Sequence, residues 1–271
     1  STNPVWFFQG IEKMKYITLL GVCSRLIIFI STILFINKDS SVILYPLING
    51  ITTLVFSLLG LVIIFKRYIK FTLVNWMQTF KSIVFETTPF FISRISVSLY
   101  TNSNTFVLGV FSGPVLAGYF SIAERVYTVL LQIYQPFIQS LYPYISRTKS
   151  LVKFKVISKW LLVLNLVMII FIILFGKQVM YYFFEFELVN NSFSIIQVLL
   201  VSLFITLPSV LIGYPVLGGL GFAKYANKSV VFAAIFHVLA LFSLYYFYEL
   251  TPMNVAYILV FTQFVDFLYR L

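Results

Sequence analysis

The 271-residue chain is 61% hydrophobic and only 10% charged, with a mean hydropathy of +0.99. A water-soluble core of this length needs far more charge, so the composition describes a chain whose main solvent is lipid. The formal net charge of +11 does not call for nucleic acid, because the basic residues cluster beside apolar segments, where they set topology and meet anionic headgroups.

Eight apolar segments predict membrane-spanning helices at 16–36, 41–65, 83–110, 115–141, 160–184, 194–214, 229–248 and 255–271. Each can cross a hydrocarbon layer of ~30 Å at about 1.5 Å per residue, and a helix satisfies every backbone N–H and C=O without water. The expected fold is all-α, a polytopic transmembrane helix bundle. The chain starts at Ser1, its opening Asn3-Pro4-Val5-Trp6 reads as the middle of a loop, and it stops at Tyr269-Arg270-Leu271 on an apolar run. The expectation is a segment internal to a longer protein.

The first lead-in carries Lys13 and Lys15, the second-span loop Lys66, Arg67, Lys70 and Lys81, and the fourth-span loop Arg147, Lys149, Lys153, Lys155 and Lys159. Lys224, Lys228 and Arg270 fall on the same side, whereas the alternate loops offer Lys38 and Lys177 beside Asp39, Glu185, Glu187 and Glu249. Fourteen basic residues against two make the lead-in side cytoplasmic. The stretch 66–82 interleaves its lysines with Phe71, Leu73, Trp76, Met77 and Phe80, a pattern that suits an interfacial linker between two bundles as well as an ordinary basic loop.

Polar residues inside the spans carry the functional information. In the first span Arg25 shares a narrow face with Thr18, Gly21 and Thr32, all within about 40° at helical spacing. In the third, Thr87, Arg94, Ser98, Thr101 and Thr105 share a face with Asn102 at its margin, and Glu86 lies nearby. The fourth is the clearest: Ser121, Glu124, Thr128, Gln132, Gln135, Gln139 and Tyr142 recur every three or four residues, bordered by Arg125, as a water-lining stripe does. An arginine at a span centre costs about 2.5–3.5 kcal/mol on insertion scales, so Arg25, Arg94 and Arg125 need anionic partners or a hydrated cavity. Glu86 and Glu124 are the candidate partners, and a structural reading in which Glu124 neutralises Arg94 or Arg125 stands beside a cavity for an anionic ligand. Tyr127 and Tyr134 flank the stripe, where they could stack on a sugar.

His237 stands without a second histidine or carboxylate at ligand spacing and reads as a packed span residue. Cys23, the single cysteine, excludes disulfides and thiolate metal sites; no metal and no cofactor are expected. Gly218-Gly219-Leu220-Gly221 lacks P-loop spacing and reads as a cytoplasmic turn. Pro46, Pro89, Pro136 and Pro208 fall within spans, where a missing N–H can bend a helix.

Phe106-Val107-Leu108-Gly109-Val110-Phe111-Ser112-Gly113, then Ala117-Gly118-Tyr119-Phe120-Ser121-Ile122-Ala123-Glu124-Arg125, Tyr134-Gln135-Pro136 and Tyr142-Pro143-Tyr144-Ile145-Ser146 together resemble the polysaccharide-transporter (Wzx-type) O-antigen flippases of the multidrug/oligosaccharidyl-lipid/polysaccharide exporter superfamily. The lead-in Asn3-Pro4-Val5-Trp6-Phe7-Phe8-Gln9-Gly10-Ile11-Glu12-Lys13-Met14 is similar to the loop before that family's fifth helix. The resemblance implies a twelve-helix, two-bundle transporter: 1–65 would hold the last two helices of the N-terminal bundle, 66–82 a cytoplasmic linker, and 83–271 the C-terminal six-helix bundle. It also implies a non-enzymatic flippase of the bacterial inner membrane, moving undecaprenyl-diphosphate-linked repeat units to the periplasmic leaflet. Arg25, Arg94, Arg125, Gln132, Gln135 and Gln139 would then bind the lipid-linked oligosaccharide, and Glu86 or Glu124 would couple an ion. Membrane lipids, a polysaccharide polymerase and a chain-length regulator are the implied partners, with no nucleic acid. A drug or metabolite antiporter of the same superfamily and a membrane-embedded polymerase are the competing readings, the second disfavoured by the short outer loops.

Overall fold

The computed structural model describes residues 4–11, 13–36, 43–68 and 76–271. Those residues form an all-α protein. A short helix α1 (Val5–Gly10) precedes α2 (Met14–Phe35), α3 (Leu44–Arg67), α4 (Trp76–Phe111), α5 (Pro114–Thr148), α6 (Val152–Tyr181), α7 (Phe186–Leu211), α8 (Ala223–Phe247) and α9 (Pro252–Arg270). α7 runs into a π-helical segment, Ile212–Gly218. Among the described residues the eight long helices fall on the eight predicted spans, with boundaries shifted by up to eight residues at one end or the other. Among the described residues α2, α3, α6, α7 with its π-helical extension, and α8 are long and apolar enough to cross a membrane. α4, α5 and α9 are also long, and the polar residues noted above lower their apolarity.

Of the predicted linker 66–82, residues 69–75, with Lys70, Phe71 and Leu73, lie outside the described residues, as do Lys38 and Asp39. Lys66 and Arg67 end α3, while 76–82 already belong to α4. The chain divides into two compact units, Ser1–Thr79 and Phe80–Leu271.

In the first unit α2 packs along α3. Gly60 of α3 lies so close to the Pro4 ring that a methyl group there would collide with it. Phe8, fully buried, stacks on Tyr16 at 5.0 Å, and Arg67 donates to the Tyr16 hydroxyl at 2.8 Å. Lys13 sits 5.0 Å above the Tyr68 ring, and this neighbouring ammonium is the main cause that lowers the Tyr68 phenol from its ordinary pKa. This aromatic and basic cluster ties the lead-in to the end of α3.

In the second unit α7 is the central helix, packed by α5, α6 and α9. Its apolar residues are buried all round, from Val189 through Ile196, Leu199, Leu203 and Leu207 to Leu211, as a helix enclosed by others requires. Exposed leucines, valines and phenylalanines along α6 and α8 face outward as lipid-facing residues do. Pro46 lies in the first turn of α3, where an N–H has no intrahelical acceptor, so it does not bend that helix. Pro89, Pro136, Pro143 and Pro208 are interior. The predicted glycine turn closes the π-helical segment: Gly221 adopts φ +100, and Gly219 packs so closely on Ile145 and the Pro215 carbonyl that a side chain has no room. Lys149 donates to the Gly219 carbonyl at 2.7 Å, pinning this turn to the end of α5.

Candidate functional site

α5 separates two kinds of residue by helical spacing alone. Ala117, Phe120, Ala123, Tyr127, Leu130, Tyr134 and Leu141 are buried, while on the other side Thr128, Gln132, Gln135 and Tyr142 are exposed and Ser121, Glu124 and Gln139 half-buried. The predicted stripe is therefore the open face of α5. Thr105 of α4 donates to the Glu124 carboxylate at 2.9 Å, joining the polar face of α4 to that of α5. Arg94 and Arg125 are exposed. Among the described residues the ion pair within 4.0 Å is Asp266 with Arg270, so Glu124 neutralises neither Arg94 nor Arg125. The geometry explains this: Arg94 lies about 16 Å from Thr105 along α4 at 1.5 Å per residue, and Arg125 projects about 100° away from Glu124.

The other sequence candidates are dispersed. Glu86 is exposed and about 28 Å before Thr105 along α4, so the two acids form no pair. Arg25 is exposed on α2, in the first unit. No group of three or more histidine, cysteine, aspartate or glutamate side chains suited to a metal is present among the described residues.

Tyr127 and Tyr134 do not flank an open surface for a sugar. Tyr127 is buried with its hydroxyl 2.9 Å from Thr206 of α7. Tyr134, fully buried, donates to Asn165 of α6 at 3.1 Å. Both turn their polar tips to interhelical hydrogen bonds on the core side of α5.

Sequence reasoning missed Asp266 and read Arg270 only as a charge at a span end. Arg270 is buried at the end of α9 and not a free interfacial charge. Its Nη2 lies 3.0 Å from Asp266 Oδ2, Nε donates to the Ser229 hydroxyl at 2.9 Å, and Nη1 donates to the Ser209 carbonyl at 2.8 Å and hydroxyl at 3.1 Å. Ser209 in turn donates to Asp266 Oδ2 at 3.0 Å. The spacing of an acid and a base four residues apart on one helix was the available signal.

A solved structure has a similar fold. A MATE protein crystallised in the bent conformation superposes with a TM-score of 0.67 at 16% sequence identity, over 94% of this chain and 59% of that one. The fold is therefore that of a multi-pass helical membrane protein of MATE type. Residues 1–149 match the family described as Polysaccharide biosynthesis protein, and the chain belongs to that family. A protein of Escherichia coli (strain K12) named "Putative O-antigen transporter" is 32% identical over 168 residues, 60% of this chain and 40% of that protein. A protein of Shigella dysenteriae with the same name is 24% identical over 149 residues, 54% of this chain and 37% of that protein. The chain thus matches about two fifths of the length of each of these relatives.

Proposed function

We propose that this chain is part of a flippase that carries undecaprenyl-diphosphate-linked O-antigen or related repeat units from the cytoplasmic to the periplasmic leaflet of a bacterial inner membrane. The observation that carries the reading is the joined polar surface of α4 and α5, fastened by Thr105 and Glu124, on which Arg94 and Arg125 are exposed and unpaired among the described residues. The names of the two relatives support the cargo class. A guanidinium group suits a phosphate of the diphosphate, whose oxygens it binds through paired N–H donors, and Arg94 and Arg125, about 16 Å apart along the helices, offer it at two successive levels of the surface. The amides of Gln132, Gln135 and Gln139 suit sugar hydroxyls, with each Gln offering donors and an acceptor. Arg25 supplies the same chemistry from the 1–65 part of a two-bundle protein, linked through 66–82 to the bundle of 83–271. Alternating access moves the headgroup while the polyprenyl tail stays in lipid, and Glu86 and Glu124 are the acids on that route able to exchange an ion. Polymerase and chain-length regulator act on the delivered units.

The test is export in a flippase-deficient bacterium carrying the full-length gene, scored as surface polysaccharide with several repeat-unit structures. Arg94→Ala should abolish export while membrane insertion is kept. Arg94→Lys should retain part of it, because charge survives without the bidentate fork. Normal export by Arg94→Ala would remove the diphosphate site.

A further inference from the structure

One end of the first unit gathers cations from both members of a helix pair. Lys13 and Lys15 stand at the start of α2, and Lys66 and Arg67 close α3. All four are exposed, and among the described residues none lies within 4.0 Å of a carboxylate. Glu12, next to Lys13 in sequence, lies outside the described residues. Two phenols hold the cations against a fixed frame. Arg67 Nη1 donates to the Tyr16 hydroxyl at 2.8 Å, and the guanidinium fork has further N–H donors for a second partner. The Lys13 ammonium is 5.0 Å from the centre of the Tyr68 ring, while Tyr16 stacks at 5.0 Å on the fully buried Phe8. The lowered pKa of the Tyr68 phenol marks the place as one that favours negative charge.

A cavity of about 540 Å³ opens at this end, lined by Lys13, Met14, Lys15, Tyr16 and Leu19. Its lining changes character along α2. The lysines and the phenol stand at the helix start, and Leu19 lies one turn further, about 6 Å by helical rise from Lys15. From Leu19 the exposed face of α2 continues through Val22, Leu26, Phe29 and Ile33, as a face that meets acyl chains does. Trp6, 60% exposed on α1, stands with Tyr16 and Tyr68 at this end, as aromatic residues do at the headgroup level of a bilayer. A cationic mouth above an apolar track has the layout of a glycerophospholipid, phosphate first and acyl chain beneath. A choline or ethanolamine ammonium would meet only further positive charge there, so the layout selects a headgroup whose phosphate is not neutralised by its own cation.

We propose that this end of α2 and α3 is a binding site for one anionic glycerophospholipid, its phosphate held by Lys13 and Lys15 with Arg67 at the rim, and an acyl chain laid along α2 from Leu19. The site does not rest on the transport reading and belongs to a different unit from the polar surface of α4 and α5.

The test uses the full-length protein in a neutral detergent, with bound lipid counted by native mass spectrometry. It is titrated with phosphatidylglycerol and with phosphatidylcholine of the same acyl chains. Phosphatidylglycerol should bind about tenfold more tightly or better. Lys13→Gln with Lys15→Gln should remove most of that preference, changing phosphatidylcholine binding by less than about twofold. The same charge loss elsewhere, Lys153→Gln with Lys155→Gln, should leave the preference in place. Equal binding of the two lipids by wild type, or an equal loss of preference in both pairs of variants, overturns the site. Inorganic phosphate in tenfold excess should leave phosphatidylglycerol bound, at about that ratio; displacement would show a site for a free anion and overturn the lipid assignment. Unfolding midpoints separate lost binding from lost fold. If the Lys13 and Lys15 pair unfolds, Lys15→Gln alone, at an exposed position, is read by the same criteria and should lose about threefold or more of the preference.

Discussion

Arg270 and Arg94 show how differently one side chain can be used within a single unit. Arg270 spends its donors on Asp266, Ser209 and Ser229, all buried, and removing it leaves Asp266 charged and unpaired in a low-dielectric interior. Arg270→Ala should therefore destabilise the protein by about 3–5 kcal/mol, whereas replacing Arg270 and Asp266 together by apolar residues of similar volume should cost much less. Thermal or denaturant unfolding in detergent measures both, and equal losses for the single and double variants would refute the pairing. Arg94, exposed and without an ion pair, should show the reverse, a loss of export with stability nearly unchanged. The positive-inside count treated Arg270 as one more interfacial charge because that count ignores depth and neighbours. Its acid four residues earlier was visible, but that Ser209 and Ser229 close around the pair depends on how α7, α8 and α9 pack, which no local pattern encodes.

At the scale of the element, the amphipathic division of α5 was legible from spacing, because glutamine, glutamate and threonine have one preferred environment in a membrane. Tyrosine does not: its ring suits a core and its hydroxyl a wet surface, so the side on which Tyr127 and Tyr134 fall depends on partners in α6 and α7. Tyr134→Phe should cost about 0.6 kcal/mol, the usual worth of an interhelical hydrogen bond in a membrane, and leave export intact; a sugar-stacking tyrosine would instead lose export selectively on substitution by Ala with its fold unharmed. The end of α7 was legible only in part. The turn at Gly218-Gly219-Leu220-Gly221 was readable, but the departure from helix before it was not: a Cβ on Gly213, whose ψ of −110 leaves the helix, would stand 2.8 Å from Arg270 Nη1. Gly213→Ala should cost about 1–3 kcal/mol, as overpacking does, read as a lowered unfolding midpoint. The same substitution should be nearly neutral in an Arg270→Ala background, where the obstructing guanidinium is gone.

For the whole molecule, the arrangement across the membrane follows from charge and helix length together. α6 has 30 residues and spans about 45 Å at 1.5 Å per residue, so its two ends stand on opposite sides of a hydrocarbon layer of ~30 Å. Before it come Arg147 and Lys149, and its first turns hold Lys153, Lys155 and Lys159; after it come Glu185 and Glu187. The positive-inside bias predicts that the first end is cytoplasmic. Tyr182 is 87% exposed in the turn after α6, and Ser150 lies in the turn before it. In the full-length protein carrying Cys23→Ser, any other cysteine likewise replaced, Tyr182→Cys should react with a membrane-impermeant maleimide in intact cells, and Ser150→Cys only after permeabilisation. Because the helices alternate direction, that one pair of reagents fixes the side of every other loop between α4 and α9. The reverse pattern would show that the lysine cluster at the start of α6 faces outward. Labelling of both positions from one side would mean that α6 does not cross, and the eight-span architecture would fall with it.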